Sequence, residues 1–162
     1  FLGMMGSGKS SIGSIVAKKL KLDFIDIDNE IEKELGINIK KIFDTKGEDF
    51  FRKFEEKITL KKLKLNSTVI SLGGGAFMNK NIRKEVLKSH ISFWLNWDNE
   101  ILLNRIKKNN KRPLVQNSTN SKLIELMNKR SNIYSKALYE IKCDNLSKNE
   151  VLKKILRVYE SH

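Results

Sequence analysis

The stretch FLGMMGSGKSS at the start of the chain constrains the fold more than any other feature. Gly3, Gly8, Lys9 and Ser10 stand at the spacing GxxxxGK[ST]. In this pattern the glycines let successive backbone N–H groups turn toward a phosphate, and the lysine adds a positive charge beside it. The serine hydroxyl can reach a Mg²⁺ ion. The pattern therefore predicts a phosphate-binding loop, and a flexible Gly/Ser turn is the alternative.

The residues that flank the loop bear on this prediction, because a phosphate-binding loop joins a strand to a helix. Apolar residues recur at three- and four-residue steps between Ile12 and Leu20, which predicts an amphipathic helix over Lys9–Leu20. Only Phe1 and Leu2 precede the loop, and two residues are too few for a strand. We therefore expect that the beginning of the first strand is missing from the sequence. The loop residues expected to contact a nucleotide are Gly6, Ser7, Gly8, Lys9, Ser10 and Ser11.

Length and composition limit the class of protein. A chain of 162 residues is expected to form one domain, residues 1–162, with a substantial core. Its apolar runs are shorter than a membrane span requires, so no membrane association is predicted. The single cysteine, Cys143, has no partner for an internal disulfide or a metal cluster, which fits a reducing compartment. We therefore expect a cytoplasmic protein. We also expect a monomer.

The formal net charge of +13 raises the question of nucleic-acid binding. Lysines are spread along the chain and alternate with acids, as in KKIFDTKGEDFFRKFEEKITLKKLKL. No recognition module or basic-aromatic pattern accompanies them. Most of this charge is therefore expected at the solvated surface, with a basic cleft for small anions, and nucleic acid is not an expected partner.

Strand and helix patterns alternate along the chain. The predicted strands are 24–28, 68–72, 90–97 and 139–143, and the predicted helices are 9–20, 29–36, 39–43, 47–65, 98–108, 121–139 and 148–160. The helix at 47–65 is expected to turn Phe50, Phe54, Ile58 and Leu65 toward the core. A polar stretch that holds the only proline is interpreted as a mobile lid at about 108–121.

This alternation predicts an α/β fold, with a central parallel sheet of about five strands and helices on both faces. Ligands of such sheets bind beyond the carboxyl ends of the strands, where the loop, Asp26, Asp28 and the turn Gly73–Gly75 all fall. Asp26 can assist Ser10 in holding Mg²⁺ through water. Asp28 stands two residues further on and is expected on the same strand face, where it can reach an acceptor hydroxyl.

Six segments, taken together and in order, resemble the shikimate kinase family. They are GMMGSGKSS, the DID of residues 26–28, FRKFEE at 51–56, SLGGGA at 71–76, RPL at 112–114 and MNKRSNIY at 127–134. The resemblance implies a P-loop fold of the nucleoside-monophosphate-kinase type. It also implies transfer of phosphate from ATP, with Mg²⁺ as cofactor, to shikimate, which gives shikimate 3-phosphate on the route to aromatic amino acids.

The resemblance also implies roles for individual residues. Arg52 and Arg130 match the arginines that bind the shikimate carboxylate, and Asp28 matches the residue that contacts the ring hydroxyls and acts as base. The remaining matches are Gly73, Gly74 and Gly75 for close approach to substrate, Phe43 and Phe51 as walls of the ring pocket, Lys9 and the lid arginine Arg112 for catalysis, and Arg105 for adenine. The sequence departs from the family at Lys148, which stands about where an arginine would pack on adenine.

Two other interpretations stay open. The chain could be a kinase of the same fold that phosphorylates a polyol or a sugar acid. It could also be a kinase-like domain without activity that serves as a binding or regulatory module, although Lys9, Ser10, Asp28 and Arg112 all argue against this.

Overall fold

A computed structural model describes residues 1–108 and 118–162 of the chain. Its strands are β1 (Asp23–Asp26), β2 (Thr68–Ser71), β3 (Phe93–Asn96) and β4 (Tyr139–Lys142). Its helices are α1 (Lys9–Leu20), α2 (Ile27–Leu35), α3 (Ile39–Lys62), α4 (Lys80–Ser89), α5 (Asn99–Lys108), α6 (Asn120–Tyr134) and α7 (Lys148–Glu160), with a 3₁₀ turn at Ala76–Met78.

The sheet is parallel, and the first two residues of the chain lie in its middle. β1 pairs with β2 and β3 pairs with β4, both in parallel register. Phe1 accepts a hydrogen bond from the Leu72 amide at 2.9 Å, and Leu2 donates to the Phe93 carbonyl at 3.0 Å. The order across the sheet is therefore β1, β2, Phe1–Leu2, β3, β4. The predicted α/β architecture is confirmed, with four strands assigned among the described residues.

Two apolar clusters cover opposite faces of this sheet. Phe93 and Leu95 pack in one cluster with Ile12 and Ile155, whereas Trp94 packs in the other. Successive strand residues point to opposite faces, which explains this division. One face is thus covered by α1 and α7, and the other by the remaining helices. Among the described residues, no helix is long and apolar enough to cross a membrane.

Local capping sets several of the helix ends. Helix α1 covers the predicted residues and begins after Gly8, which has a φ of 88°. Helix α7 begins with a reciprocal capping box between Ser147 and Glu150. Helix α4 was absent from the sequence-based prediction, although the Asn79 side chain caps it by accepting from the amides of Asn81 and Ile82.

The prediction of a strand through residue 28 is wrong, and the cause is another cap. The side chain of Asp26 accepts a hydrogen bond from the Asn29 amide at 3.2 Å, so α2 begins at Ile27. Asp28 therefore lies in the first turn of a helix rather than on the strand face of Asp26. A carboxylate in this turn is stabilised by the helix dipole.

The predicted core face of the longest helix is also partly wrong. Phe50 is 36% exposed and Leu65 is 49% exposed, whereas Phe51 is only 3% exposed. Gly47 has a φ of 81° and breaks α3 into the two predicted pieces. The part of α3 after Gly47 forms a separate run of helical turns, and the face that it buries contains Phe51 and Ile58.

One further predicted helix ends earlier in the structure, and one predicted segment lies mostly beyond the described residues. Helix α6 ends at Tyr134 rather than at residue 139, because a turn follows in which the Leu138 amide donates to the Ser92 hydroxyl at 2.9 Å. The predicted lid falls mostly on residues 109–117, which lie outside the described residues.

Candidate active site

The phosphate-binding loop lies at the carboxyl edge of the sheet and is held by its own lysine. Gly6 and Gly8 have φ values of 78° and 88°, a region that favours glycine. The buried Lys9 ammonium donates to the carbonyls of Gly3 and Met4, both at 3.0 Å. These bonds place the positive charge inside the curve of the loop.

Ser10 and Asp26 meet where the sequence predicts a magnesium site. The Ser10 hydroxyl donates directly to the Asp26 carboxylate. Ser11 is next along α1 and is exposed. Mg²⁺ prefers oxygen ligands and in nucleotide enzymes is held by one or two protein groups together with phosphates. The donor set of Ser10 and Asp26 fits such an ion, and no cluster of three or more metal-ligating side chains occurs in the described part of the chain.

Beside this loop is a pocket that brings together most of the predicted acceptor residues. Its lining consists of Met5, Asp28, Ile39, Phe43, Phe51, Arg52, Glu55, Gly74, Gly75 and Arg130. Met5 belongs to the phosphate-binding loop, so the pocket and the loop share a wall. The side chains of Phe43 and Phe51 pack with ring centroids 4.7 Å apart and form an apolar wall of this pocket.

Arg52 is held by two glutamates of its own helix. Its Nη1 donates to Glu55 at 2.7 Å, and its Nη2 lies 3.1 Å from Glu48. Glu55 is 2% exposed. Burial raises the pKa of Glu55, while the Arg52 guanidinium opposes this change and the nearby Asp28 carboxylate adds to it. The arginine is thus oriented before any ligand arrives.

The turn Gly73–Gly75 passes too close to charged side chains for larger residues. A Cβ on Gly73 would lie 2.8 Å from Asp28 Oδ1, and a Cβ on Gly75 would lie 2.5 Å from Arg52 Nη1. Both contacts are shorter than real Cβ atoms show, so either substitution would displace a pocket residue. The backbone of this turn therefore forms one side of the pocket.

Arg130 connects this turn to the phosphate-binding loop. It is 7% exposed, and its Nη1 lies 3.3 Å from the Gly74 carbonyl and 3.6 Å from the Met4 sulfur. The buried Tyr134 hydroxyl also donates to the Gly74 carbonyl, and burial raises the pKa of Tyr134 to about 12. Sequence reasoning assigned no role to Tyr134, although it stands one helical turn after Arg130.

Of the residues predicted to contact the nucleotide base or cover the phosphates, the structure places only Arg105 beside the phosphate-binding loop. The Arg105 guanidinium lies over the Trp97 ring, 3.7 Å from its centroid, and the indole Nε1 donates to the Ser7 carbonyl at 2.9 Å. Trp97 was not among the predicted site residues. Lys148 is exposed at the first position of α7, and its contact with adenine stays a prediction. Arg112 lies outside the described residues.

Comparison with known proteins decides the family. A sequence profile described as shikimate kinase matches residues 5–160. The chain belongs to the shikimate kinase family. It is 41% identical over 137 residues to the shikimate kinase of Rhizobium leguminosarum bv. trifolii, covering 84% of this chain and 70% of that protein. It is 40% identical to the shikimate kinase of Bacillus subtilis, covering 93% and 82%.

Solved structures of shikimate kinases share the fold. The shikimate kinase of Acinetobacter baumannii, solved in complex with shikimate, matches with a TM-score of 0.93 and 31% identity, covering 99% of this chain and 90% of that chain. The fold is therefore the P-loop fold of shikimate kinases, with a parallel sheet between two layers of helices. Five of the six segments that suggested the family from sequence contribute the loop, the pocket and the glycine turn described above, and the sixth, RPL at 112–114, lies outside the described residues.

Proposed function

We propose that this chain transfers the terminal phosphoryl group of ATP to the 3-hydroxyl of shikimate, producing ADP and shikimate 3-phosphate. The observation that carries the proposal is a single pocket, next to the phosphate-binding loop, that contains Arg52, Arg130 and Asp28. Two guanidinium groups and a carboxylate match the chemistry of an acceptor that carries one carboxylate and several hydroxyls. Membership of the shikimate kinase family supports the same substrate.

The pocket residues bind and orient the acceptor. Arg52 and Arg130 hold the carboxylate, since a guanidinium can make two parallel hydrogen bonds to it. Phe43 and Phe51 pack against the apolar face of the ring. Backbone groups of Gly73, Gly74 and Gly75 approach the ring closely, because these residues have no side chain. Asp28 hydrogen-bonds the hydroxyl that attacks.

In the transfer step, a bond forms between the 3-oxygen of shikimate and the terminal phosphorus of ATP, while the bond from that phosphorus to the ADP oxygen breaks. Asp28 accepts the proton that leaves the hydroxyl. Lys9 and the loop amides from Gly6 to Ser11 stabilise the negative charge on the phosphate oxygens. Most of the catalysis then comes from position and electrostatics.

Ser10, and Asp26 through water, would hold Mg²⁺ at the phosphates. When bound, this ion neutralises part of the phosphate charge and fixes the phosphate geometry. Arg112, Arg105 and Lys148 complete the proposed ATP site, with Arg112 closing over the phosphates from a lid at about 108–121. We propose a monomer formed by one domain, residues 1–162, in the cytoplasm, where the single thiol of Cys143 would stay reduced.

The direct test is an ADP-release assay with purified protein, MgATP and a panel of acceptors. Shikimate should give steady turnover and a phosphorylated product of the expected mass, whereas gluconate and nucleoside monophosphates should give the rate seen without acceptor. Turnover with gluconate but not shikimate would favour a sugar-acid kinase. ATP binding without turnover on any acceptor would favour a binding module.

We expect Arg52→Lys and Arg130→Lys each to weaken shikimate binding by roughly ten- to hundredfold while changing ATP affinity little. Lysine keeps the charge but loses the two-point contact, and hydrogen bonds to charged groups are worth about 1.5 to 3 kcal/mol. Calorimetric titration with each ligand measures both effects. Arg157→Lys, on the exposed surface of α7, is the matched control. Equal losses for the two ligands would contradict this assignment.

Ser10→Ala should raise the Mg²⁺ concentration needed for half-maximal activity, because one oxygen ligand and the hydrogen bond to Asp26 are removed. A magnesium titration at saturating ATP and shikimate measures this shift. Ser14→Ala, one helical turn further along α1 and exposed, serves as the control. A magnesium curve that superposes on that of the unmodified protein would exclude Ser10 as a ligand.

A further inference from the structure

Trp97 joins two parts of the proposed nucleotide site that are far apart in sequence. It directly follows β3, and its indole Nε1 donates to the Ser7 carbonyl of the phosphate-binding loop at 2.9 Å. The face of the same ring lies 3.7 Å from the Arg105 guanidinium. One side chain thus contacts both the loop expected to hold phosphate and the arginine expected beside adenine.

The surroundings of Trp97 keep the indole in place. The ring is half-buried and packs against both apolar clusters. The residue after it is tied down, because the Asp98 amide donates to Asp144 at 2.6 Å and the Asp98 carboxylate accepts from the Glu100 amide at 2.8 Å. Trp97 is therefore a fixed platform at the carboxyl end of the sheet.

Arg105, by contrast, is exposed and needs the platform to hold one orientation. The base of its side chain is close to the loop, since a Cβ on Gly6 would lie 3.7 Å from the Arg105 Cβ. A guanidinium stacks well on an indole, and tryptophan is the best aromatic partner for a cation. Because Arg105 is exposed, we expect that a second flat group can approach the face of its guanidinium that is turned away from the indole.

We propose that Trp97 is a positioning residue for the nucleotide. It holds the Arg105 guanidinium parallel to the indole, so that adenine stacks on the opposite face of the arginine. Its hydrogen bond to Ser7 also maintains the curve of the phosphate-binding loop. The inference rests on the proposed function at one point, the assumption that the ligand is a purine nucleotide. What it adds is a role for Trp97 in the binding of ATP and ADP, exerted through Arg105, with no effect on binding of the acceptor.

The physical basis is a lower entropic cost of binding. A free arginine side chain loses rotamer freedom when a ligand orders it, and this loss weakens affinity. An arginine already stacked on Trp97 has less freedom to lose. Removing the indole should therefore reduce nucleotide affinity even though the indole itself is separated from the base by the guanidinium.

The first test compares two substitutions that separate the two contacts. Trp97→Phe keeps a ring for Arg105 but removes the donor to Ser7, whereas Trp97→Leu removes both. We expect ADP affinity to fall by roughly two- to fivefold for the first and roughly five- to twentyfold for the second. The KM for ATP should rise in the same order, and the KM for shikimate should stay unchanged. Phe50→Leu, which removes an exposed ring lying under Lys46, is the matched control.

The second test asks whether the effect passes through Arg105. Trp97→Leu should lower the affinity for ADP clearly less in a protein that already carries Arg105→Gln than in the otherwise unmodified protein. The reason is that Arg105→Gln has already removed the stack. Full additivity, or equal increases of the KM values for ATP and shikimate, would overturn the proposal. ADP binding is measured without acceptor, so absent turnover with shikimate would count against the proposed function and leave this test intact.

A spectroscopic measurement is independent of affinity. The chain has two tryptophans, and Trp94→Phe leaves Trp97 as the only one. ADP should then change the emission of Trp97, and shikimate alone should not. If ADP leaves this emission unchanged while calorimetry shows that it binds, the indole is not next to the nucleotide site and the proposal is wrong. Should Trp94→Phe fail to fold, the affinities of the Trp97 variants decide.

Discussion

Asp28→Asn should reduce turnover on the order of 10²- to 10⁴-fold, the usual contribution of a positioned general base. The substitution keeps the size of the side chain but removes its charge and basicity. Asp28 lines the pocket together with Arg52 and Arg130, so its loss acts on the acceptor rather than on the phosphate-binding loop. ATP affinity should therefore stay near its original value. Steady-state turnover and a separate ATP titration measure the two quantities.

Two other carboxylates serve as controls for Asp28. Glu30 lies in the same first turn of α2 and pairs with Lys62, so Glu30→Gln removes a charge from that turn without altering the pocket. Asp26→Asn should act mainly through Mg²⁺ and be partly restored by more metal. If metal restores Asp28→Asn and not Asp26→Asn, the two roles are reversed. If Glu30→Gln loses as much activity as Asp28→Asn, the loss reflects helix stability.

Lys9→Met should reduce turnover on the order of 10²- to 10³-fold, because it removes a preorganised donor from the charge that develops on the phosphate. The structure adds a second consequence. Lys9 is 7% exposed and donates to the carbonyls of Gly3 and Met4. Methionine would remove both bonds, and among the described residues only the Met4 carbonyl would keep another donor, the Ser7 amide at 3.2 Å. We expect a measurable drop in thermal stability, since an unmet buried polar group costs about 1 to 3 kcal/mol.

Lys19→Met is the matched control for this substitution, because Lys19 is exposed in the last turn of the same helix. It should change neither turnover nor the melting temperature appreciably. Both variants are compared by the ADP-release assay and by thermal unfolding followed by circular dichroism. Near-normal turnover of Lys9→Met would show that the loop does not act on ATP as proposed.

Local sequence signals predicted the parts of the fold that depend on near neighbours. The spacing of glycines, Lys9 and Ser10 determines the loop, and the apolar steps after it predict α1 with the correct ends. Gly36 ends α2 in the left-handed conformation, as expected of a glycine after a helix. These features follow from backbone sterics and hydrogen bonds within a few residues.

Where two local signals competed, the sequence was misleading. FIDID alternates like a strand, yet its first aspartate is also a good helix cap, and the cap prevails from Ile27 onward. The apolar face of the second half of α3 depends on where its turns restart after Gly47, which composition alone does not specify. Phe51 is therefore buried in place of Phe50.

The sequence by itself determined the phosphate-binding loop, the alternation of strands and helices, and, through six ordered segments, the family and its candidate residues. Only the tertiary structure decided how those residues meet. Tyr134 reaches the Gly74 carbonyl across 60 residues of chain, and Trp97 reaches the Ser7 carbonyl across 90. Such contacts leave no periodic trace in the sequence, because they depend on which strand ends are neighbours in the sheet and on the packing of whole helices against it.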